Sequence, residues 1–344
     1  MPEFKSFLKL MNSNPEMWLS VLPALGLMTV NGWTDAPVTI ASAVRTKALK
    51  FRSAIVLSAV CNFAGTVTML FFGSSVAVSI YSISGLGNFG EKTLPALISA
   101  SLTVILWSLT ALFFGLPTSE SHALTAGLSG AGVALIGMNA VNIAEWVKWI
   151  IGLFASTLPV AVVTIFVTEV IEKRLQIGEG TFKKMQIFGA SVSYFAHGAQ
   201  DGQKFAGVLA LSASISLEGV ENTNIVVPVW CSVLSAVFIS CGVLLGGRKI
   251  VQSFDEFAPH KPSAGFSADL CSAVMLLALS VLGVSAATTI AKSSAVMGAG
   301  RALGVMPKTN VIKKMAFAWV LTVPLCFVLS FLITEVLEFV SAVC

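Results

Sequence analysis

Asn31-Gly32-Trp33-Thr34-Asp35-Ala36-Pro37 follows directly on the apolar run Trp18–Val30, and His197-Gly198-Ala199-Gln200-Asp201-Gly202-Gln203 lies inside the apolar run from Phe188 to Leu211. Each stretch puts a carboxylate among apolar residues, three positions after a glycine and beside amide or hydroxyl side chains. Ionisable groups inside a bilayer are costly and mark a functional site by default. Two of them at an offset of 166 residues point to one site built twice.

The surroundings of these stretches are those of a membrane protein. Of 344 residues, 56% are hydrophobic and 11% charged, against about 25% charged in soluble domains. A crossing takes about 20 apolar residues. Ala54–Gly73, Leu94–Phe114, Trp146–Thr168, Ile225–Leu245, Ala268–Ala287 and Ala316–Thr334 read as full crossings. Trp18–Val30, Ala36–Val44, His122–Met138, Phe188–His197, Phe205–Leu211 and Ser294–Leu303 are too short to cross alone. Such short pieces, interrupted by glycine or proline, read as discontinuous or re-entrant helices. The expected fold class is therefore an all-α polytopic membrane protein of roughly 10–12 membrane segments, with multi-pass insertion in a bacterial plasma membrane.

The net charge of +4 is mild and calls for no nucleic-acid partner. The Glu218–Asn224 loop carries acids and no base and reads as external, whereas Arg248–Lys261 reads as cytoplasmic. The six cysteines are scattered through apolar segments without metal-ligand spacing and read as small core hydrophobes. Lys5 and Lys9 before Leu19–Val30 imitate a signal peptide. Cleavage there would part the first polar motif from its helix, so an uncleaved first segment is expected.

The duplication extends beyond the two aspartates. Gly130-Ala131-Gly132 matches Gly298-Ala299-Gly300 and Asn142 matches Asn310, both at offset 168. Thr168-Glu169-Val170-Ile171-Glu172 matches Thr334-Glu335-Val336-Leu337-Glu338 at 166, and Pro159 parallels Pro324 in mid-helix. Common order and spacing make a repeat. We expect a first repeat over 1–172, a polar linker over 173–185 and a second repeat over 186–344 within one transmembrane unit. An odd number of passes per copy would invert the second one and put a site near the midplane.

Each copy carries a second polar cluster: Pro117-Thr118-Ser119-Glu120-Ser121-His122 in the first, Ser285-Ala286-Ala287-Thr288-Thr289-Ile290 in the second. Small residues, then consecutive hydroxyls, then glycines suit a helix N-terminus. Two such ends facing each other would cradle an anion with hydroxyls, free N–H groups and positive dipole ends. Carboxylates beside an anion demand a cation, so a co-transported Na⁺ or H⁺ is implied, with Asp35, Asp201 and Asn31 around it. If the ion is Na⁺, Asp35 and Asp201 are its metal ligands.

These paired motifs resemble those of the inorganic phosphate transporter (PiT) family, which carries a Gly-Ala-Asn-Asp-Val-x-Asn-Ala block and a Pro-Val-Ser-Thr-Thr-His block in two copies each. Gly32–Ser42 and Gly198–Gly207 resemble the first block, Pro117–His122 and Ser285–Ile290 the second. The resemblance implies an inverted-repeat homodimer that moves inorganic phosphate with Na⁺ or H⁺ and has no resident cofactor and no enzymatic activity. It implies substrate contacts from Ser119, Ser121, Thr288 and Thr289; Glu120, Gln200 and Thr34, where this chain departs from the family pattern, are expected to contact substrate as well. The departures are specific: Thr34 and Gln200 replace Asn, Val38 and Lys204 replace a later Asn, Arg45 replaces Gly, and Glu120 replaces Thr. Ala287 and Ile290 stand where Ser and His are usual. Lys204, three residues after Asp201, can substitute for one bound cation or act as a gate, as can His122 and His197.

Two alternatives remain. Sulfate fits the same cradle, although a proton-accepting carboxylate such as Glu120 favours phosphate, which is protonated at neutral pH. An intramembrane aspartyl protease would use two aspartates sharing a proton, but it leaves the hydroxyl motifs without a role.

Overall fold

The computed structural model describes residues 4–13, 18–72, 75–83, 93–175, 177–218, 227–255, 260–305 and 309–343. Fourteen α-helices are formed among them: α1 (Phe4–Ser13), α2 (Trp18–Thr34), α3 (Ala36–Arg45), α4 (Phe51–Thr68), α5 (Ser75–Ile83), α6 (Thr93–Phe114) and α7 (Glu120–Ile136), then α8 (Ile143–Arg174), α9 (Glu179–Glu218), α10 (Val229–Leu245), α11 (Arg248–Asp255), α12 (Pro262–Val281), α13 (Thr288–Ala302) and α14 (Thr309–Val343). No strand occurs among the described residues.

Six helices are long and apolar enough to cross a membrane: α4, α6, α7 with its following turn, α8, α12 and α14. A seventh crossing arises if α10 and α11, bent by 71° at Gly246–Gly247, count as one. Adding α2–α3, α9 and α13 brings the segments to ten. Five of the six expected crossings coincide with these helices. The sixth, Ile225–Leu245, is the bent α10; residues 225–226, and 219–224 of the loop expected to be external, lie outside the described residues. The outer walls of α8 and α14 carry exposed Phe154, Phe166, Val320 and Phe339, the apolar belt that lipid requires.

Two expectations are corrected. The second aspartate motif is not broken: α9 runs through Asp201 for 40 residues without interruption. In the first copy a single turn residue, Asp35, parts α2 from α3. The cause lies two residues on, where Pro37 has no N–H to give the helical ladder and Gln203 of the second copy does. The polar linker is also shorter than expected, because α8 extends to Arg174 and α9 begins at Glu179.

Contacts sort the helix ends into two rims. At the basic rim Arg45 Nη2 lies 2.8 Å from His260, Thr46 donates to Gln186 at 2.6 Å and Lys261 pairs with Glu172 at 2.8 Å. Ser253 donates to the Gly115 carbonyl at 2.6 Å, and Lys314 lies beside both in one shallow cavity. At the opposite rim Ser79 donates to the Gly283 carbonyl at 2.9 Å, and Asn142 donates to the Ser82 carbonyl at 3.2 Å. Chain order then fixes direction. The α2–α3 pair runs toward the basic rim and α9 runs away from it; α6 and α12 are opposed in the same way, as are α8 and α14.

Packing between the copies is reciprocal. Helix α4 packs on α9 and α10 on α2; α7 packs on α14 and α13 on α8. Glycines permit this closeness. A Cβ on Gly32 would sit 2.0 Å from the Ile239 carbonyl oxygen, and one on Gly198 would sit 2.2 Å from that of Asn62. Backbones can approach this closely only where side chains are absent, the usual device of membrane helix pairs. These two glycines stand three residues before Asp35 and Asp201, so close helix crossings adjoin both acids.

Candidate oxyanion and cation site

How the hydroxyl motifs reach the aspartates follows from the ends of α6 and α12. Gly115 and Gly283 adopt φ of +67° and +70°, and the next residues bond back across the terminus, Leu116 N–H to Ala111 C=O and Val284 N–H to Leu279 C=O. This glycine-dependent stop turns the chain sharply. Residues 116–119 and 284–287 then run without helix into the interior, where α7 and α13 begin. Because 115 belongs to the basic rim and 283 to the opposite one, the two helix N-termini enter from opposite sides and meet in the middle.

At the meeting point Thr288 Oγ1 donates to Asp35 Oδ2 at 2.8 Å and lies 3.3 Å from Asp201 Oδ2. Thr289 hydrogen-bonds the other Asp35 oxygen. Asn31 Nδ2 donates to Asp201 Oδ2 at 3.1 Å. The Lys204 ammonium is held by Asp201 Oδ1 at 2.7 Å, Ser121 Oγ at 2.6 Å and the Ala286 carbonyl at 2.6 Å, three acceptors for its three donors. Thr34 hydrogen-bonds Glu120 Oε1, while Glu120 Oε2 has no partner among the described residues. Ser119 caps α7 by accepting from the His122 N–H at 3.3 Å. Helix α13 has no capping side chain at Ala287, so its first-turn N–H groups have no partner within the helix.

Gln200 donates to the Val284 carbonyl at 3.0 Å and accepts from Ser280. Of the polar side chains just named Thr34 is the most exposed, at 6%, so these side chains are closed off from both rims. The structure thus joins Asn31, Asp35, Ser121, Asp201, Lys204, Thr288 and Thr289 in one buried hydrogen-bonded network, while the Thr34–Glu120 pair, Ser119 and Gln200 are buried with hydrogen bonds of their own.

The two histidines diverge. His197 sits 3.8 Å from Asp35 and 3.4 Å from Asp201 through Nε2, with Nδ1 2.7 Å from Asn62 Oδ1. One ligand atom from each of Asp35, His197 and Asp201 falls within 4.8 Å of the others, spacing that suits a single cation. His122 instead stacks edge-on against Trp149 with ring centroids 4.6 Å apart, and neither of its ring nitrogens has a partner among the described residues. It lines an apolar groove between α8 and α14, apart from the hydrogen-bonded network.

A second buried ion pair was not singled out by the sequence reading. Lys292 pairs with Asp269, and Ser42 donates to the same Asp269 oxygen at 2.6 Å. The signal was present, since Asp269 falls inside the expected crossing Ala268–Ala287. Neither residue has a charged counterpart in the first copy, where Ser101 and Leu124 occupy the matching positions, so comparison of repeats passes over both.

Comparison with known proteins agrees with the motifs. The model of the phosphate transporter family matches residues 31–177 and 171–330. A Bacillus subtilis protein named "Probable low-affinity inorganic phosphate transporter" is 30% identical over 317 residues, covering 89% of this chain and 92% of its own. A Mycobacterium bovis protein of the same name is 33% identical over 316 residues, covering 89% of this chain and 73% of its own. A solved structure titled "The sodium-dependent phosphate transporter" superposes with a TM-score of 0.80 at 21% identity, over 94% of this chain and 99% of that one, and shares its fold.

Proposed function

The chain belongs to the phosphate transporter family, and from that premise we propose that it is a secondary symporter carrying inorganic phosphate together with a cation, H⁺ in preference to Na⁺. It is a membrane transporter and not an enzyme, which disposes of the protease alternative. The observation that carries the reading is the convergence of two helix N-termini on paired buried acids: Thr288 and Thr289 at the start of α13 on Asp35, and Ser121 at the start of α7 beside the Lys204–Asp201 pair.

Charge balance makes the coupling necessary. Lys204 cancels Asp201, which leaves Asp35, and Glu120 whenever it is unprotonated, facing any incoming anion. Repulsion between such charges in a low-dielectric chamber is large, so the anion enters only when cations neutralise them. The hydroxyls that now donate to Asp35 then turn to the phosphate oxygens. Glu120 Oε2, buried without a partner, accepts either the coupling proton or the proton that phosphate itself carries.

Two features support H⁺ over Na⁺. The Lys204 ammonium already fills a cation position with three acceptors. His197, the third group at the acid pair, is an imidazole, which binds a proton well and a hard alkali ion poorly. The opposed helix directions and reciprocal packing support a reading of α2–α8 and α9–α14 as inverted-topology repeats that rock about the site. The homodimer implied by the family resemblance belongs to the same proposal.

The test is radiolabelled phosphate uptake into proteoliposomes holding the full chain. An imposed pH gradient should drive uptake, an Na⁺ gradient at fixed pH should add little, and excess sulfate should not compete. Uptake that follows only the Na⁺ gradient would overturn the choice of ion. Absence of phosphate uptake under either gradient, or uptake of sulfate in its place, would overturn the substrate.

A further inference from the structure

We propose that Lys292, Asp269 and Ser42 form a second ion station on the transport path, between the central cluster and the basic rim, which takes the oxyanion at Lys292 and Ser42 and its coupling cation at Asp269. The inference rests on the transport reading above.

Position comes first. Helix α3 starts beside Asp35 and ends at the basic rim, and on it Asp35, Ser42 and Thr46 recur at seven and eleven residues, two and three turns along one face. Ser42 donates to Asp269 of α12, and Lys292 of α13, one turn beyond Thr288, pairs with the same carboxylate. One turn further along α3, Thr46 donates to Gln186 of α9. Polar groups therefore form a buried file from the centre to the rim.

Unmet bonding capacity comes next. Asp269 is 0% and Lys292 1% exposed, yet Asp269 Oδ2 has no partner among the described residues, and neither has Gln186 Nε2 further along the file. A buried pair is seldom more stabilising than packed apolar groups of equal volume, and an ionisable residue at membrane depth marks an ion pathway more often than a prop. The opposite half makes the contrast. At the positions matching Ser42, Asp269 and Lys292 it carries Val208, Ser101 and Leu124, so the charged station exists on one side of the centre only.

The exchange is electrically neutral. Lys292 leaves Asp269 for the arriving anion, while Asp269 takes the cation that travels with it, so no charge stands uncompensated at any step. Ser42 donates its hydroxyl to the anion once Asp269 is occupied. When the ions pass on to the rim, the pair closes again.

The experiment uses the full chain carrying Lys292→Met with Asp269→Asn, a double change that leaves no unpaired buried charge. Equilibrium phosphate binding in detergent and uptake in proteoliposomes are measured side by side. Phosphate binding at the central cluster, which these changes leave intact, should keep its affinity within about twofold of the unmodified chain, while maximal uptake falls at least about tenfold with thermal stability unchanged, a split that a structural prop would not give. Uptake at the unmodified rate would overturn the station, as would loss of binding together with uptake. Should the double variant fail to fold, Ser42→Ala decides: it keeps the pair, and it should slow uptake without weakening binding, unmodified uptake being the contrary result. An unmodified chain that takes up no phosphate at all would sink the transport reading itself, an outcome distinct from either.

Discussion

Lys204 shows how one side chain sets the chemistry of the centre. Its three donors are satisfied by Asp201, Ser121 and the Ala286 carbonyl, and it is fully buried. Lys204→Met leaves Asp201 uncompensated, a loss of about 3–5 kcal/mol for one partner of a buried pair. The purified variant should melt well below the unmodified protein, and Lys204→Met with Asp201→Asn should recover most of that stability without recovering uptake. Asp35→Asn keeps the shape of the Thr288 and Thr289 contacts while removing their charge. Uptake should fall at least about tenfold, equal to about 1.4 kcal/mol, and equal uptake by the variant would refute a coupling role for Asp35. Asp35 and Asp201 were legible because carboxylates stand out in apolar sequence and occur in pairs. The partners of Lys204 were not, because Ser121 and Ala286 lie more than 80 residues away from it in the chain.

At the scale of elements, the glycines before the acids govern how closely α2 meets α10 and α9 meets α4. Gly32→Ala or Gly198→Ala forces a Cβ against backbone oxygen at 2.0 or 2.2 Å, and backbone cannot step aside as a flexible side chain can. Each change should cost about 1–3 kcal/mol, the range for overpacking, read as a lowered melting temperature. Gly180→Ala, with nothing within 4 Å of its Cβ, should be neutral in the same assay. The helical class and the location of the main crossings followed from apolar run lengths, although α8, α12 and α14 each reach six or more residues beyond an expected end. The continuity of α9 did not, because the Gly198, Gly202 and Gly207 that look like breakers in sequence serve as contact surfaces against Asn62, Thr66 and Ala77. Only the neighbouring helix reveals which role a glycine plays.

For the whole molecule, the arrangement of rims makes a topological prediction. Residues of the basic rim, Lys47 and Lys314 among them, should face one compartment, and Lys148 the other. In a cysteine-free background, Lys47→Cys and Lys314→Cys should react with an impermeant maleimide from one side of sealed vesicles and Lys148→Cys only from the opposite side. From the clustering of Arg45, Arg248, Lys249 and Lys261 at that rim, the positive-inside rule predicts that the labelled Lys47→Cys side is the cytoplasmic one. Labelling of Lys47→Cys and Lys148→Cys from the same side would refute the opposed helix directions on which the repeat reading depends.

Composition alone determined that the chain is a helical membrane protein, and motif order led to the reading of two related halves with Asp35, Asp201 and the two hydroxyl strings at a shared centre. These are properties of local solvation and of internal likeness, and both are written residue by residue. Tertiary structure alone decided that the hydroxyl strings enter from opposite rims, that Lys204 and His197 close around the acids while His122 turns away, and that Asp269 finds Lys292. The reason is physical: burying a charge is tolerable only beside its partner, and which partner arrives depends on helices brought together from opposite ends of the chain.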